Sequence, residues 1–148
     1  MKCSNQMKLQ FDSRSTNEAF SRTAISAFIA PLDPNIEELS DIKTAVSEAV
    51  TNAIVHGYSD QIATVYISAF LYPDNRVVIK IRDKGCGIDD VHKAMEPLYT
   101  TCQTGERAGL GFAVMQSLMD KVKVLSKPGK GTTVVLERRI TSKGAVHV

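Results

Sequence analysis

The feature that most constrains the fold is one long apolar-periodic run that starts after Pro34 and ends at Gly57. Asp33 and Pro34 supply a helix N-cap followed by proline at the first helical position, and Gly57 stands where a C-terminal glycine belongs. This run predicts a helix of about six turns. Its apolar positions repeat at helical spacing and are Ile36, Leu39, Ile42, Val46, Ala49, Val50 and Ala53.

Shorter patterns surround this helix. Residues 7–11 alternate between apolar and polar side chains and predict a strand. Ser15 and Glu18 have capping-box spacing, so they predict the start of a first helix that ends near Pro31. Beyond the long helix, two alternating segments predict strands within residues 65–71 and 77–81.

The last third of the chain continues with mixed patterns. Residues 85–96 predict a loop with a short helix, and residues 97–108 have weak periodicity, which is typical of a flexible segment. Residues 109–119 predict another helix, and a hairpin is expected across residues 127–131. We therefore expect one α+β domain over residues 1–148: a two-layer α/β sandwich with helices on one face of a mixed, mostly antiparallel sheet.

Composition narrows the function classes. The 18 basic and 16 acidic residues are interspersed, and no basic stripe of the kind that binds nucleic acid is visible. No apolar run approaches the roughly 20 residues that a membrane helix needs. Three cysteines without a CxxC pair predict reduced, unpaired thiols and a cytoplasmic protein.

Three polar residues interrupt the apolar second half of the long helix. Glu48, Asn52 and His56 are spaced four residues apart, so they lie along one helical face. Such a stripe is often a solvated surface. Here the neighbouring residues are small and apolar, which favours a packed environment instead. A carboxylate and a carboxamide one turn apart suit proton acceptance and ligation of Mg²⁺.

Asp83 lies where an apolar residue is expected. Counting by two along the apolar strand from Val77 places it on the buried face at the strand end, and a buried carboxylate needs hydrogen-bond donors. Either it closes an Asx turn on the amide of Gly85 or a nearby residue, or it accepts from an exocyclic amine such as that of adenine. Gly85 and Gly87 would let the backbone approach a planar ring.

A glycine-rich segment, residues 105–111, leads directly into the last predicted helix. Glycines that open a helix expose backbone amides to an anion, and Arg107 adds positive charge. The segment is not a Walker A loop, because no Gly-Lys-Ser/Thr follows, and no strand leads into it as in a Rossmann turn. An ordinary glycine-rich helix start is an equally good interpretation of this segment alone.

Taken in chain order, these segments resemble the motifs of the GHKL ATPase superfamily, which includes gyrase, Hsp90, histidine kinases and MutL. Residues 48–57 are similar to its N box, 83–88 to its G1 box, 109–111 to its G2 box and 131–133 to its closing strand motif. Within the superfamily the chain most resembles the small serine-kinase anti-sigma factors of sporulation, over nearly its whole length.

The resemblance implies a site for ATP or ADP with Mg²⁺. Asn52 would ligate the metal, Glu48 would be the general base, and Asp83 would bind the adenine amino group. Arg107 would act in catalysis by reaching the γ-phosphate or the substrate. The other residues that the resemblance places around the nucleotide are His56, Gly85, Gly87, Ile88, Thr100, Thr101, Gly109, Leu110, Gly111 and Thr132.

The resemblance also implies partners. The protein would be a homodimer that binds a sigma factor of the sporulation sigma F type and phosphorylates an anti-anti-sigma protein on serine, with no nucleic-acid or membrane partner. Arg22 would belong to the partner-binding surface, and residues 100–111 would form a lid, in which Cys102 replaces a lysine. The alternatives are a general-stress anti-sigma kinase and a non-catalytic module in which ATP only shapes a binding surface.

Overall fold

A sheet of antiparallel strands organises the described part of the chain. The computed structural model describes residues 1–88 and 108–141, with only the backbone described for 108–110. The strands are β1 (Asn5–Asp12), β2 (Thr64–Leu71), β3 (Arg76–Asp83), β4 (Lys121–Lys127) and β5 (Gly131–Arg139). Their order across the sheet is β1-β2-β3-β5-β4, and each of these neighbouring pairs is antiparallel.

Helices cover one face of this sheet. They are α1 (Thr16–Ile29), α2 (Ile36–Asn52) and α3 (Ala108–Leu118), with a 3₁₀ turn at Ala30–Leu32 after α1 and a π-helical turn at Ala53–Gly57 after α2. Strand β2 shows why the layers form: every second residue is buried against the helices, because alternate side chains point to opposite faces. The expected α+β sandwich is confirmed.

The starts of the first two helices differ from the predictions. Ser15 precedes α1 but makes no side-chain cap hydrogen bond, so the predicted capping box is wrong there. The capping box lies instead at the start of α2, where Asn35 and Glu38 exchange side-chain and backbone hydrogen bonds. Asp33 is not the N-cap, since it ends the 3₁₀ turn in the left-handed region at φ 54°.

The core lies between α1, α2, α3 and the inner sheet face. Fully buried side chains come from each of these elements, and they include Ile25, Ile42, Val50, Ile79, Met115 and Leu136. In the register of β3 with β5, Asp83 is opposite Thr132, so the ends of these strands meet beneath the last turn of α2. The fold thereby brings the polar residues singled out above into one region.

The remaining predictions concern the cysteines, membrane-spanning helices and the segment after residue 88. Cys3 is free but Cys86 is disulfide-bonded, so the expectation of unpaired thiols is wrong for Cys86. In the described ranges, no helix has both the length and the apolar character needed to cross a membrane. The predicted short helix after residue 88 and the predicted flexible segment up to residue 107 lie outside the described residues.

Candidate active site

The polar end of α2 passes into a π-helical turn, which the sequence did not predict. The amide of Tyr58 donates to the carbonyl of Ala53 at 3.0 Å, a five-residue spacing that widens the helix. Such π turns occur often at functional sites. Here the turn leaves the Gly57 carbonyl free of the helix, so that it accepts a hydrogen bond from the Cys86 amide at 3.0 Å. The N-box segment is thus tied to the loop after β3.

Glu48, Asn52 and His56 do not form a solvated face. His56 is only 8% exposed. The side-chain nitrogen of Asn52 is buried and has no hydrogen-bond partner among the described residues. A buried amide without a partner carries a desolvation penalty of about 1–3 kcal/mol, so its environment suits a ligand rather than the empty protein. The interpretation as a packed polar stripe is confirmed.

The first turn of α3 lies directly on this stripe. A Cβ atom added to the buried Gly111 would lie 3.1 and 3.2 Å from the two polar atoms of the Asn52 side chain. It would also lie 3.2 Å from Oε2 of Glu48. Contacts this short leave little room for any side chain, so a glycine here allows α3 to pack against both residues. The structure therefore brings Glu48, Asn52 and the G2 segment together.

The carboxyl group of Glu48 has an altered acidity. Partial burial raises its pKa above the ordinary value, and the nearby negative charge of Glu18 raises it further. Desolvation disfavours the charged form of a carboxylate, and a like charge does the same. The consequence is a stronger proton acceptor than a fully solvated glutamate.

Asp83 is buried at the end of β3, with 6% of its surface exposed. Its Oδ1 accepts a hydrogen bond from the Gly85 amide at 2.9 Å, so the predicted Asx turn is present. Burial raises the pKa of Asp83 to about 6, although hydrogen bonds from the amides of Gly85 and Thr132 act in the opposite direction. The Asx-turn interpretation is therefore confirmed, while acceptance from an exocyclic amine stays a prediction for this carboxylate, which also lines the cavity described below.

The glycines around Asp83 are required by close packing. A Cβ at Gly57 would lie 2.7 Å from the Asp83 carboxyl carbon, and one at Gly85 would collide with the Gly57 carbonyl. Gly87 has a positive φ of 76°, and a Cβ there would collide with the Lys127 carbonyl. These glycines therefore let the N-box segment, the G1 loop and the β4–β5 turn meet around one carboxylate.

Ser126 is a site residue that the sequence did not predict. Its hydroxyl accepts from the Ile88 amide at 2.8 Å and donates to the Gly131 carbonyl at 3.0 Å. Thr132 Oγ1 lies 2.8 Å from the same oxygen. Either hydroxyl can be the donor in this contact, and Thr132 also lines the cavity described below. Only the hairpin register could have predicted this contact.

A cavity opens between α2, β3, β5 and α3. Its polar lining consists of predicted site residues, and its apolar lining comes from the helices and the central strands. A concave, mostly apolar pocket with a few convergent polar groups is the usual form of a small-molecule site. The polar lining residues are Asn52, His56, Asp83 and Thr132, with Gly87 and Ile88 at one wall.

The remaining predicted residues fall into three groups. Thr100, Thr101 and Arg107 lie outside the described residues, while Gly109 and Leu110 lie in the first turn of α3, where only the backbone is described. Arg22 lies on α1 and pairs with Glu18, its Nε 2.7 Å from Oε2. It lines a groove between α1 and α2 that also reaches Glu48. Arg22 therefore lies outside the cavity, on a groove that Glu48 also lines.

Comparison with known proteins agrees with this geometry. The model of the histidine kinase-like ATPase domain matches residues 12–138. The chain belongs to this family. It is 54% identical to the anti-sigma F factor of Thermoanaerobacter sp. (strain X514), over 96% of this chain and 99% of the relative. It is 50% identical to the anti-sigma F factor of Priestia megaterium, over 96% and 97% of the two chains.

Solved structures give the same fold. The RsbU and RsbW domains of a Mycobacterium tuberculosis protein match 93% of this chain with a TM-score of 0.67 and 20% identity, and the match spans 33% of that protein. A histidine kinase domain from Erythrobacter litoralis matches 87% of this chain with a TM-score of 0.55 and 20% identity, over 64% of that protein. The chain thus has the ATPase fold of its family, which is a nucleotide-binding fold.

Proposed function

We propose that this chain is an anti-sigma factor that is also an ATP-dependent protein serine kinase, acting in the cytoplasm on an anti-anti-sigma protein. The observation that carries the kinase part is the meeting of Glu48, Asn52 and Gly111 beside a cavity whose floor is Asp83. This arrangement joins a proton acceptor, an unpartnered buried amide and an acceptor for an amine. The names of the relatives, anti-sigma F factor, support the sigma-binding part.

The cavity suits adenine. Asp83 would supply a carboxylate acceptor for the exocyclic amine, and the Thr132 hydroxyl, which also lines the cavity, would contact it through water. Ile88 and Ile81 give apolar contact with the ring faces. A purine that carries a carbonyl at the same position would place an acceptor against the carboxylate, so the site would discriminate between adenine and hypoxanthine.

The residues also fit a Mg²⁺ ion. In the described ranges, no group of three or more His, Cys, Asp or Glu side chains could hold a metal. Magnesium, however, is usually held by one or two protein ligands together with phosphate oxygens and water. The side-chain oxygen of Asn52, one turn from the Glu48 carboxylate, would supply such a sparse set, and the partner-free amide nitrogen beside it would be left to donate to a phosphate oxygen. The ion, when bound, would neutralise charge on the transferred phosphoryl group.

The transfer step follows from these positions. The serine hydroxyl oxygen of the protein substrate bonds to the γ-phosphorus, the bond from that phosphorus to the β,γ-bridging oxygen breaks, and ADP leaves. Glu48 accepts the hydroxyl proton, which its raised pKa favours. The groove that runs from Arg22 to Glu48 is open on the surface and contains Ile36, which is 88% exposed. We propose that the substrate and the sigma factor contact the protein there.

The test is transfer of label from γ-phosphate-labelled ATP to serine of a cognate anti-anti-sigma protein. Glu48→Gln should lower the transfer rate by about 10²–10⁴-fold, because general base catalysis is lost. It should leave ATP affinity nearly unchanged. The matched control is Glu37→Gln, which alters an exposed carboxylate on the same helix. Normal transfer by Glu48→Gln would exclude its role as base. Tight ATP binding without any transfer by the unmodified protein would favour a nucleotide-gated binding module.

A further inference from the structure

The sheet face opposite the helices collects basic side chains from strands that are distant in sequence. One row of residues in register crosses all the strands and consists of Lys8, Ser68, Lys80, Val135 and Lys123. Residues paired in this way point to the same face, so three ammonium groups lie along one line. Each of these lysines is exposed. The interspersed charges of the sequence become a stripe only through the strand order.

The neighbouring row extends the stripe. It contains Arg82 on β3, and Lys84 and Lys127 lie beyond it at the ends of their strands. No acidic residue stands in either row. Asp12, opposite Thr64 at the end of β1, lies on the same face beyond them and pairs with Arg14 at 3.9 Å. Glu137, in the row on the other side, is already paired, with Arg76 at 3.4 Å and Lys121 at 3.9 Å. Within the described part of the chain, no ion pair involves the six basic residues Lys8, Lys80, Arg82, Lys84, Lys123 and Lys127.

Aromatic rings hold several of these cations in place. The ammonium of Lys80 lies 5.5 Å from the centre of the Phe70 ring. The Tyr66 ring is covered by the ammonium of Lys84 at 4.9 Å and by the guanidinium of Arg82 at 5.9 Å. Such contacts stabilise a cation by about 0.5–1 kcal/mol at an exposed site. They reduce the conformational entropy that these side chains would lose on binding an anion.

We propose that this basic sheet face, defined by Lys8, Lys80, Arg82, Lys84, Lys123 and Lys127, binds an acidic polypeptide segment of a partner protein. Charge complementarity carries the proposal: the face has six cations without a paired acid and a shallow depression lined by Lys8, Tyr66, Lys80 and Arg82. The proposal does not depend on nucleotide binding or on phosphoryl transfer, because the face lies on the other side of the sheet from the cavity.

The aromatic contacts favour an acidic protein segment over single-stranded nucleic acid. Proteins that bind single strands on a sheet offer aromatic faces on which bases stack. On this face the Tyr66 and Phe70 rings are covered by the chain's own cations, so the stacking faces are occupied. Five of the six cations are lysines, which bind carboxylates as point charges and need no planar partner. An acidic protein segment, which presents several carboxylates, therefore matches the charges of the basic sheet face.

The experiment measures fluorescence anisotropy of a short labelled poly-glutamate peptide on the full chain, with poly-glutamine and oligo-dT as comparison probes. We expect binding of poly-glutamate that weakens as salt is added. The double variant Lys80→Glu with Arg82→Glu should lower the affinity by about tenfold or more. The matched control, Lys2→Glu with Lys130→Glu, has the same net charge but alters exposed lysines outside the face, and it should change the affinity by less than about twofold.

Three results would overturn the proposal. These are no binding of poly-glutamate by the unmodified chain, an equal loss in the face variant and the control variant, and tighter binding of oligo-dT than of poly-glutamate. The last result would make the face a nucleic-acid surface. Melting temperature and ATP affinity of each variant check the fold. If the double reversal does not fold, Lys80→Gln with Arg82→Gln replaces it, and a loss of at least about threefold is then expected.

Discussion

The two ends of α2 differ in the hydrogen-bond partners of their buried polar groups. At its start, Glu38 is only 4% exposed, and both of its carboxylate oxygens have partners. Oε1 accepts from the Asn35 amide at 3.0 Å, and Oε2 accepts from the Thr141 amide at 2.8 Å. This carboxylate joins the capping box of the helix to the chain after β5. The desolvation cost of burying the Glu38 carboxylate is therefore offset by hydrogen bonds within the protein.

At the other end of α2 the compensation is incomplete. The Asn52 amide nitrogen has no partner in the described residues, and burial raises the pKa values of both Glu48 and Asp83. Polar groups that are buried without full compensation destabilise the empty protein. Within one helix, the Glu38 carboxylate has partners for both oxygens, whereas Asn52, a residue of the proposed site, lines the cavity with a buried amide nitrogen that has no partner in the described residues.

The largest effect that this contrast predicts is on nucleotide affinity. Under the proposed function, Asp83→Asn places an amide donor where the carboxylate would face the adenine amine, so ATP affinity should fall by about 100-fold or more. Titration calorimetry with Mg·ATP measures this change. The amide oxygen of asparagine can still accept from Gly85, and the penalty of a buried charge is removed, so the free energy of unfolding at neutral pH should not fall and should rise by up to about 3 kcal/mol.

The control for this variant is Asp60→Asn, because Asp60 is exposed and lies outside the cavity. It should leave both affinity and stability unchanged. A loss of affinity in Asp83→Asn that is matched by a large loss of stability would contradict the contrast, since Asp83 would then be structural in the way that Glu38 is.

Glu38→Ala should show the reverse pattern. Removing this carboxylate takes away the Glu38 oxygens that accept from the amides of Asn35 and Thr141, and it breaks the capping box. We expect a loss of about 2–4 kcal/mol in the free energy of unfolding, measured by urea denaturation. ATP affinity of the folded fraction should remain within about twofold of the original, because Glu38 is at the far end of α2 from the cavity.

Glu37→Ala is the matched control for that variant, since Glu37 occupies the same helical turn but is exposed. Its effect on stability should be less than about 0.5 kcal/mol. Equal losses in the two variants would mean that charge at the helix start, rather than the hydrogen bonds of Glu38, supplies the stability.

The sequence predicted the element order and the polar stripe at the C-terminal end of α2 because both depend on local periodicity. Asp83 and Asn52 were recognisable since each is a polar residue on an apolar face. The start of α2 was mispredicted because Asp33 and Asn35 are both good N-cap residues and lie two positions apart. The hydrogen bonds that selected Asn35 involve Glu38, whose other oxygen is fixed by Thr141, and a local pattern cannot include that contact.

Non-local contacts account for the other features that the sequence did not predict. Ser126 reaches Ile88 through the β4–β5 hairpin, and the lysines of the basic sheet face meet only through strand register. The π turn at Ala53–Gly57 follows an ordinary helical pattern, with no residue that marks it. Its role becomes clear when Gly57 is seen against the Asp83 carboxylate. These features depend on tertiary packing, which neither propensity nor spacing encodes.

The smallest predicted effect is a dependence of nucleotide selectivity on pH, because Asp83 has a pKa of about 6. The ionised form accepts from the adenine amine, and about a quarter of the group remains ionised at pH 5.5. The ratio of ATP affinity to ITP affinity should therefore fall by about fourfold between pH 7.5 and pH 5.5. The ratio is measured because both nucleotides carry the same triphosphate, so titration of the phosphates cancels.

Ionisation of Asp83 should favour ATP over ITP but lower the stability of the nucleotide-free protein. The pKa of Asp83 is raised by folding from 3.8 to about 6, so the folded chain takes up this proton more readily than the unfolded chain. Its buried charge destabilises the nucleotide-free protein above pH 6, and this penalty is lost as the pH falls through 6 towards 3.8. Asp83→Asn should lack this contribution to the pH dependence of unfolding. Selectivity that stays constant between pH 7.5 and 5.5 would show that Asp83 does not face the base, and the contrast between the two ends of α2 would then rest on Glu48 and Asn52 alone.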